Sequence, residues 1–342
     1  MGERTPGDSR PAHLCAPTHL QRLRGLSPAR GGRDRPAHCE RGARGHVLKA
    51  PSGAIGAALL GAAGITFSGI LVRLADVEPA TSAFFRCAWA LPVLALVALW
   101  ERRRGGRRTR RERFFAFGAG VFFAVDLELW HHAIAQIGAG LSAVIANMQV
   151  LVVALVAWAI HGERPTARAA TALPAALIGV TLISGVVGAS AYGASPALGV
   201  LLSLGTAVAY SGYLLLLRAA NPRADRPAGA AFDSTLVCAV VLLPIGAALG
   251  ELHLTPTWPA HGWLVLLALS AQAFAGIAIA TALPRLPAVT TSILLLLQPG
   301  LSVLMAALIV AERPSAIQVA GVLVVLAAVL YATTGRTVRT AS

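Results

Sequence analysis

Gly162-Glu163-Arg164-Pro165-Thr166 returns, slightly altered, as Ala311-Glu312-Arg313-Pro314-Ser315, 149 positions downstream. Each copy closes a long apolar run, and the register holds upstream: Gln149 falls on Gln298, Leu155 on Leu304 and Ala157 on Ala306. The starts of the two halves echo more faintly, with Gly56, Ser68 and Gly69 matching Gly199, Ser211 and Gly212 at a spacing of 143. Self-similarity at a fixed offset marks a duplicated folding unit.

The material between the copies is that of a membrane protein. The chain has 342 residues, is 56% hydrophobic and only 13% charged, with a mean hydropathy of +0.68. A soluble domain averages about 25% charged residues. A bilayer core about 30 Å thick takes about 20 apolar residues per helix. That ruler places ten spans at 54–75, 80–100, 114–135, 141–160, 169–187, 197–217, 230–250, 262–283, 288–310 and 316–335. Breaker residues mark most joints, as in Asp76-Val77-Glu78-Pro79, Asn221-Pro222 and Pro284-Arg285-Leu286-Pro287. Lipid offers backbone groups no hydrogen-bond partner, so the spans must be helices.

Charge sets the orientation. The net +14 is not spread over the chain: of 29 basic residues, 10 precede Ala50 and 8 crowd into Arg102–Arg113. With the N-terminus in the cytoplasm, the inner segments collect 26 of the 29, as basic residues do on the inner side. The outer connections carry Arg313 together with Asp76, Glu78 and Glu251. Trp100 and Trp158 then fall near the inner face, Trp258 and Trp263 near the outer. Five spans per half is an odd number, so the second half enters the bilayer upside down. The expected fold is an all-α integral membrane protein with ten transmembrane helices in two inverted five-helix repeats. The expected organisation is an Arg/Pro-rich tail over 1–50, repeats over 51–190 and 195–336, and a short tail over 337–342. Both termini are expected in the cytoplasm. The tail lacks the 7–15-residue apolar stretch of a secretory signal and is expected to be disordered; a start at Val47 or Leu48 would enter the first span directly. Two halves of opposite polarity are the sequence mark of a secondary transporter, with its site where they meet.

At this point the chain resembles a family, the EamA-type ten-helix members of the drug/metabolite transporter superfamily. Phe84-Phe85-Arg86-Cys87-Ala88 in the second span is similar to that family's phenylalanine-arginine signature. The turns at Glu163 and Glu312, followed by Pro165 and Pro314, are similar to its repeated ending. The resemblance covers about Ala54 to Tyr331, and departs from the family at Ala62-Ala63-Gly64, where a tryptophan-glycine pair is frequent. It implies an inner-membrane permease for small metabolites, amino acids or drugs, often an exporter.

A charge at mid-membrane costs about 3 kcal/mol or more, so it faces protein or water and has a partner. The third span holds the most polar stretch, Asp126-Leu127-Glu128-Leu129-Trp130-His131-His132. Counting about 1.5 Å per residue, Asp126 lies roughly 13 Å and Glu128 roughly 10 Å from the outer end, with Arg86 at about 9 Å. An ion pair of Arg86 with one of these acids is therefore expected. Helical phase separates the acids by about 200°, so they should not share a wall. Glu128 instead neighbours His131 and His132 at i+3 and i+4. One acid is expected to face the cavity and handle substrate or a proton, with Glu128 and His132 the first choice; the alternative is an Arg–acid pair that locks the second and third helices. Asn147, Gln149, Gln272 and Gln298 are further pathway candidates. Gln298 stands before Pro299, whose missing donor frees a carbonyl to line a cavity. Glu163 and Glu312 are expected to cap turns or pair with arginines.

These residues offer no third metal ligand at matching spacing, so neither metal nor cofactor is expected. No CxxC pair exists among Cys15, Cys39, Cys87 and Cys238, and the two intramembrane cysteines read as small hydrophobes. No GxxxxGK[ST] motif supports direct ATP drive. The expected function is secondary transport of a small organic solute. The alternatives are a membrane-embedded enzyme using His131 and His132 or a non-transporting receptor or scaffold. Expected partners are the solute and the bilayer, not nucleic acid; a homodimer is left open.

Overall fold

In the computed structural model, residues 52–161, 167–184, 187, 191–222, 226–282 and 288–333 are described. Glu163 and its turn lie outside them. All regular structure among these residues is helical, in thirteen α-helices: α1 Ser52–Thr66, α2 Ser68–Ala75, α3 Pro79–Gly105, α4 Arg110–Ile137, α5 Ala139–Ala146, α6 Gln149–His161, α7 Ala167–Ile183, α8 Pro196–Ala220, α9 Pro227–Leu249, α10 Ala260–Leu267, α11 Ala275–Ala282, α12 Ala288–Ile309 and α13 Ala316–Thr333. Ala268–Phe274, between α10 and α11, is a π-helical segment.

These helices form ten passes whose bounds follow the apolar runs. α3, α4, α8, α9 and the α10–α11 pass are each long and apolar enough to cross a bilayer. The first pass is split at Phe67 into α1 and α2, and the fourth at Asn147-Met148 into α5 and α6. The surface carries large apolar side chains such as Leu96, Leu201, Leu308 and Leu323, each more than 60% exposed. Such a coat belongs against lipid tails. The protein is a multi-pass membrane protein.

Packing obeys the duplication. The third pass packs on the sixth, as the eighth packs on the first. The third also meets the seventh, as the eighth meets the second, and the first meets the ninth, as the sixth meets the fourth. Three further contacts pair a pass with its own repeat: second with seventh, fourth with ninth, fifth with tenth. Exchanging the halves maps each of these contacts onto another of them or onto itself, as a two-fold axis does.

Polarity along that axis is set by two glutamates 150 positions apart. Glu101, near the end of α3, accepts from the backbone N–H groups of Ala228 (3.0 Å) and Gly229 (2.8 Å) at the start of α9. Glu251, just past α9, accepts from the Ala80 N–H (3.4 Å) at the start of α3. Each helix therefore ends where the other begins, so the two run antiparallel, and each glutamate satisfies donors that a helix start leaves unbonded. Midway between, the thiols of Cys87 and Cys238 lie 3.5 Å apart and fully buried.

The fifth and tenth passes cross at Gly179 and Gly321. A Cβ on Gly179 would stand 2.8 Å from the Gly321 carbonyl oxygen, and one on Gly321 2.6 Å from that of Gly179. Backbones approach this closely only without side chains. Gly321→Val is expected to lower the thermal midpoint of the detergent-solubilised protein sharply, since overpacking costs about 1–3 kcal/mol. An unchanged midpoint would disprove the crossing.

Local signals explain the helix starts. Thr109 and Glu112 form a reciprocal capping box at the head of α4. Ser315 and Gln318 do the same for α13, and the Gln318 amide also donates to the Ile183 and Tyr192 carbonyls. The arginine-rich loop after α3 is fastened to α9 by Arg108, whose guanidinium meets the Asp233 carboxylate at 2.5 Å.

Candidate functional site

A cavity of about 160 Å³ lies between the halves. Arg86, Asp126, Asn147, Gln149, Gln272 and Gln298 all line it. Gln149 and Gln298 are repeat equivalents, so the cavity sits on the two-fold axis.

Each polar group is aimed by a local feature of its helix. Arg86 comes from α3 and is buried. Its Nε donates to the Gln272 side-chain oxygen (3.2 Å) and an Nη to the Ser68 hydroxyl (3.0 Å). Its guanidinium lies 5.4 Å from the centre of the Trp130 ring, an attractive placement for a cation. Gln272 lies in the π-helical segment, where the widened turn shifts side chains out of α-helical register, a recurrent feature of functional sites. Its amide nitrogen donates on to the Thr235 hydroxyl (3.0 Å). Ser68 opens α2 just after the break at Phe67, where the Thr66 carbonyl accepts from the Ser302 hydroxyl (3.1 Å). Asn147 sits at the break of the fourth pass, its amide bonded to the Ala143 carbonyl (2.9 Å).

Asp126 is the carboxylate on the cavity wall, 5% exposed. The expected ion pair is not formed: among the described residues Arg86 makes no salt bridge with Asp126 or Glu128. Arg86 is instead aimed at Ser68 and Gln272, to which it donates. The cavity thus offers a cation and a carboxylate separately, with Trp130, Tyr210 and Tyr213 as aromatic wall.

Glu128, His131 and His132 lie away from the cavity lining, as the helical phase requires. The buried His131 ring bonds through Nδ1 to the Leu127 carbonyl (2.6 Å). Glu128 and His132 meet Glu251 instead, His132 Nε2 lying 3.1 Å from a Glu251 oxygen. Glu251 entered the sequence reading only as a loop charge, and a partner 119 residues from His132 leaves no local signal. Glu312 caps α5, accepting from the N–H groups of Ala139 (2.6 Å) and Gly140 (3.1 Å). Burial holds its carboxyl above the ordinary range, while those bonds and Arg73 pull it down.

The sequence profile of the EamA-like transporter family matches residues 49–185 and, a second time, 197–334. No curated protein matches the chain. A solved structure titled "Crystal structure of protein" is similar at a TM-score of 0.56 and 19% identity, over 82% of this chain and 96% of that one. At that identity the likeness speaks for the fold alone.

Proposed function

The chain belongs to the EamA-like transporter family, matched once in each half, and from that premise we propose that it is a secondary active transporter of a small polar organic solute. The observation that carries this reading is the axial cavity with Arg86 and Asp126 on its wall and no ion pair between them. A solute bearing a carboxylate and an ammonium finds a partner for each, and its apolar part finds Trp130, Tyr210 and Tyr213. The halves move it by alternating access, one mouth closing as the other opens. Asp126 takes the coupling proton, being the acid that reaches the cavity; Glu128 and His132, first choice from sequence, do not line it. The coupling proposed is exchange of the solute for protons, in the sense of export.

We further place the arginine-rich loop after α3, and both termini, on the cytoplasmic side of the cell membrane, by the distribution of basic residues. Arg103→Cys and Trp258→Cys, both at exposed positions, are expected to label from opposite sides in a chain whose other cysteines are replaced by serine. Labelling from one side would overturn the topology.

Function is tested with the full chain in proteoliposomes. A panel of zwitterionic, anionic and neutral solutes is offered with and without a proton gradient. Gradient-dependent flux of zwitterions above protein-free vesicles is expected. Flux equal to empty vesicles across the panel would overturn the reading.

A further inference from the structure

Away from the cavity, at the end of the bundle opposite the arginine-rich loop, Glu128 and His132 of α4 face Glu251 beyond α9. One donor atom from each of the three lies within 4.8 Å of the others. Donors bound to a shared zinc-sized ion at about 2.0–2.2 Å stand roughly 3.5 Å apart, so small side-chain rotations close the set.

Two further observations point to a cation. Glu128 is 8% exposed, and both of its carboxylate oxygens are buried with no hydrogen-bond partner. The His132 Nδ1 atom is 3.5 Å away. That nitrogen already lies 2.8 Å from the Glu128 carbonyl oxygen, which can only accept, so the ring proton is committed there. The second observation follows from that bond. With the Nδ1 proton held by that carbonyl, Nε2 is the ring atom left for Glu251, whose oxygens lie at 3.1 and 3.2 Å. So close an approach to a carboxylate calls for a positive charge between them, a proton or a metal ion. An imidazole whose other nitrogen is held by a carbonyl is also the arrangement found behind metal-bound histidines.

We infer that Glu128, His132 and Glu251 form a binding site for one divalent transition-metal ion, with Zn2+ its representative. One imidazole and two carboxylates suit a borderline cation, and their two negative charges balance its two positive ones. The His132 and Glu251 side chains are each 25% exposed, which leaves a way in. Glu128 and His132 belong to the first half and Glu251 to the second, so the ion bridges the halves at one end. The site is independent of the transport reading.

The test uses the full chain in detergent, loaded with Zn2+, desalted and assayed for metal per polypeptide, beside His132→Gln, Glu251→Gln and Glu128→Gln. Residues 1–50 contain four histidines and two cysteines, side chains of the type that ligate zinc, so the readout is a difference. Each variant is expected to retain one equivalent fewer than the wild type, and to lose the Zn2+-induced rise in thermal midpoint. Glu251→Gln, at a partly exposed position, keeps the test decisive if Glu128→Gln fails to fold. Equal zinc in wild type and Glu251→Gln would overturn the proposal. So would a histidine that titrates between these carboxylates while zinc content stays unchanged by substitution, which would mark His132 as a proton carrier only.

Discussion

Replacing Asp126 by asparagine is expected to abolish uphill, proton-driven accumulation of solute in proteoliposomes while downhill exchange continues. Asparagine keeps the shape of the side chain and its capacity to accept a hydrogen bond, but it cannot gain or lose a proton near pH 7. A carboxylate on this wall is held at a cost of about 3 kcal/mol or more, and Arg86 does not offset it by direct contact. Arg86→Lys provides the contrast. A hydrogen bond to a charged group is worth about 1.5–3 kcal/mol, and 1.4 kcal/mol is tenfold. Solute affinity is therefore expected to fall roughly ten- to a hundredfold, with coupling intact. Wild-type accumulation in Asp126→Asn would remove Asp126 from the coupling mechanism. The measurement also separates Asp126 from Glu128, whose replacement by glutamine is expected to leave flux in place.

The second large effect concerns stability. Glu312→Ala is expected to destabilise the protein by about 2–6 kcal/mol, read as a drop in thermal midpoint and in membrane-inserted yield. The alanine removes the cap of α5 and strands two buried N–H donors, at about 1–3 kcal/mol each. The carboxylate also fills a space opened by Gly138, whose φ of +91° favours glycine and whose Cβ, if present, would meet a Glu312 oxygen at 2.7 Å. Because burial favours the neutral form of this acid, Glu312→Gln is expected to recover most of the loss. Equal damage from both substitutions would show that charge, not hydrogen bonding, carries the contact.

The ten passes were legible in the sequence because bilayer thickness fixes the length of an apolar run and leaves little else to decide. The inverted arrangement was legible in the spaced glutamate turns and in the arginines. The site was legible as a list rather than as a place. Periodicity said that Asp126 and Glu128 point apart, but not which of them points inward, since that depends on where α8 and α9 pack. The break at Phe67 has no proline or glycine at the break itself to announce it, and a π-helical turn at Gln272 has no composition of its own. Arg86 was expected to take a carboxylate; it bonds Ser68 and Gln272 instead, delivered to it by two interrupted helices. The partnership of His132 with Glu251 joins residues from different halves, which only a packed structure can bring together.

Glu101 and Glu251 do the same work at opposite ends of one antiparallel helix pair. In the alternating access proposed above, parting the halves at either end loosens one of these clasps and spares the other, so each conformer gives up a contact of the same kind that the other keeps. A preference of a few kcal/mol between such conformers is within reach of a ligand that binds one of them better. On that proposal a bound solute, rather than the scaffold, decides which side of the bilayer the cavity greets.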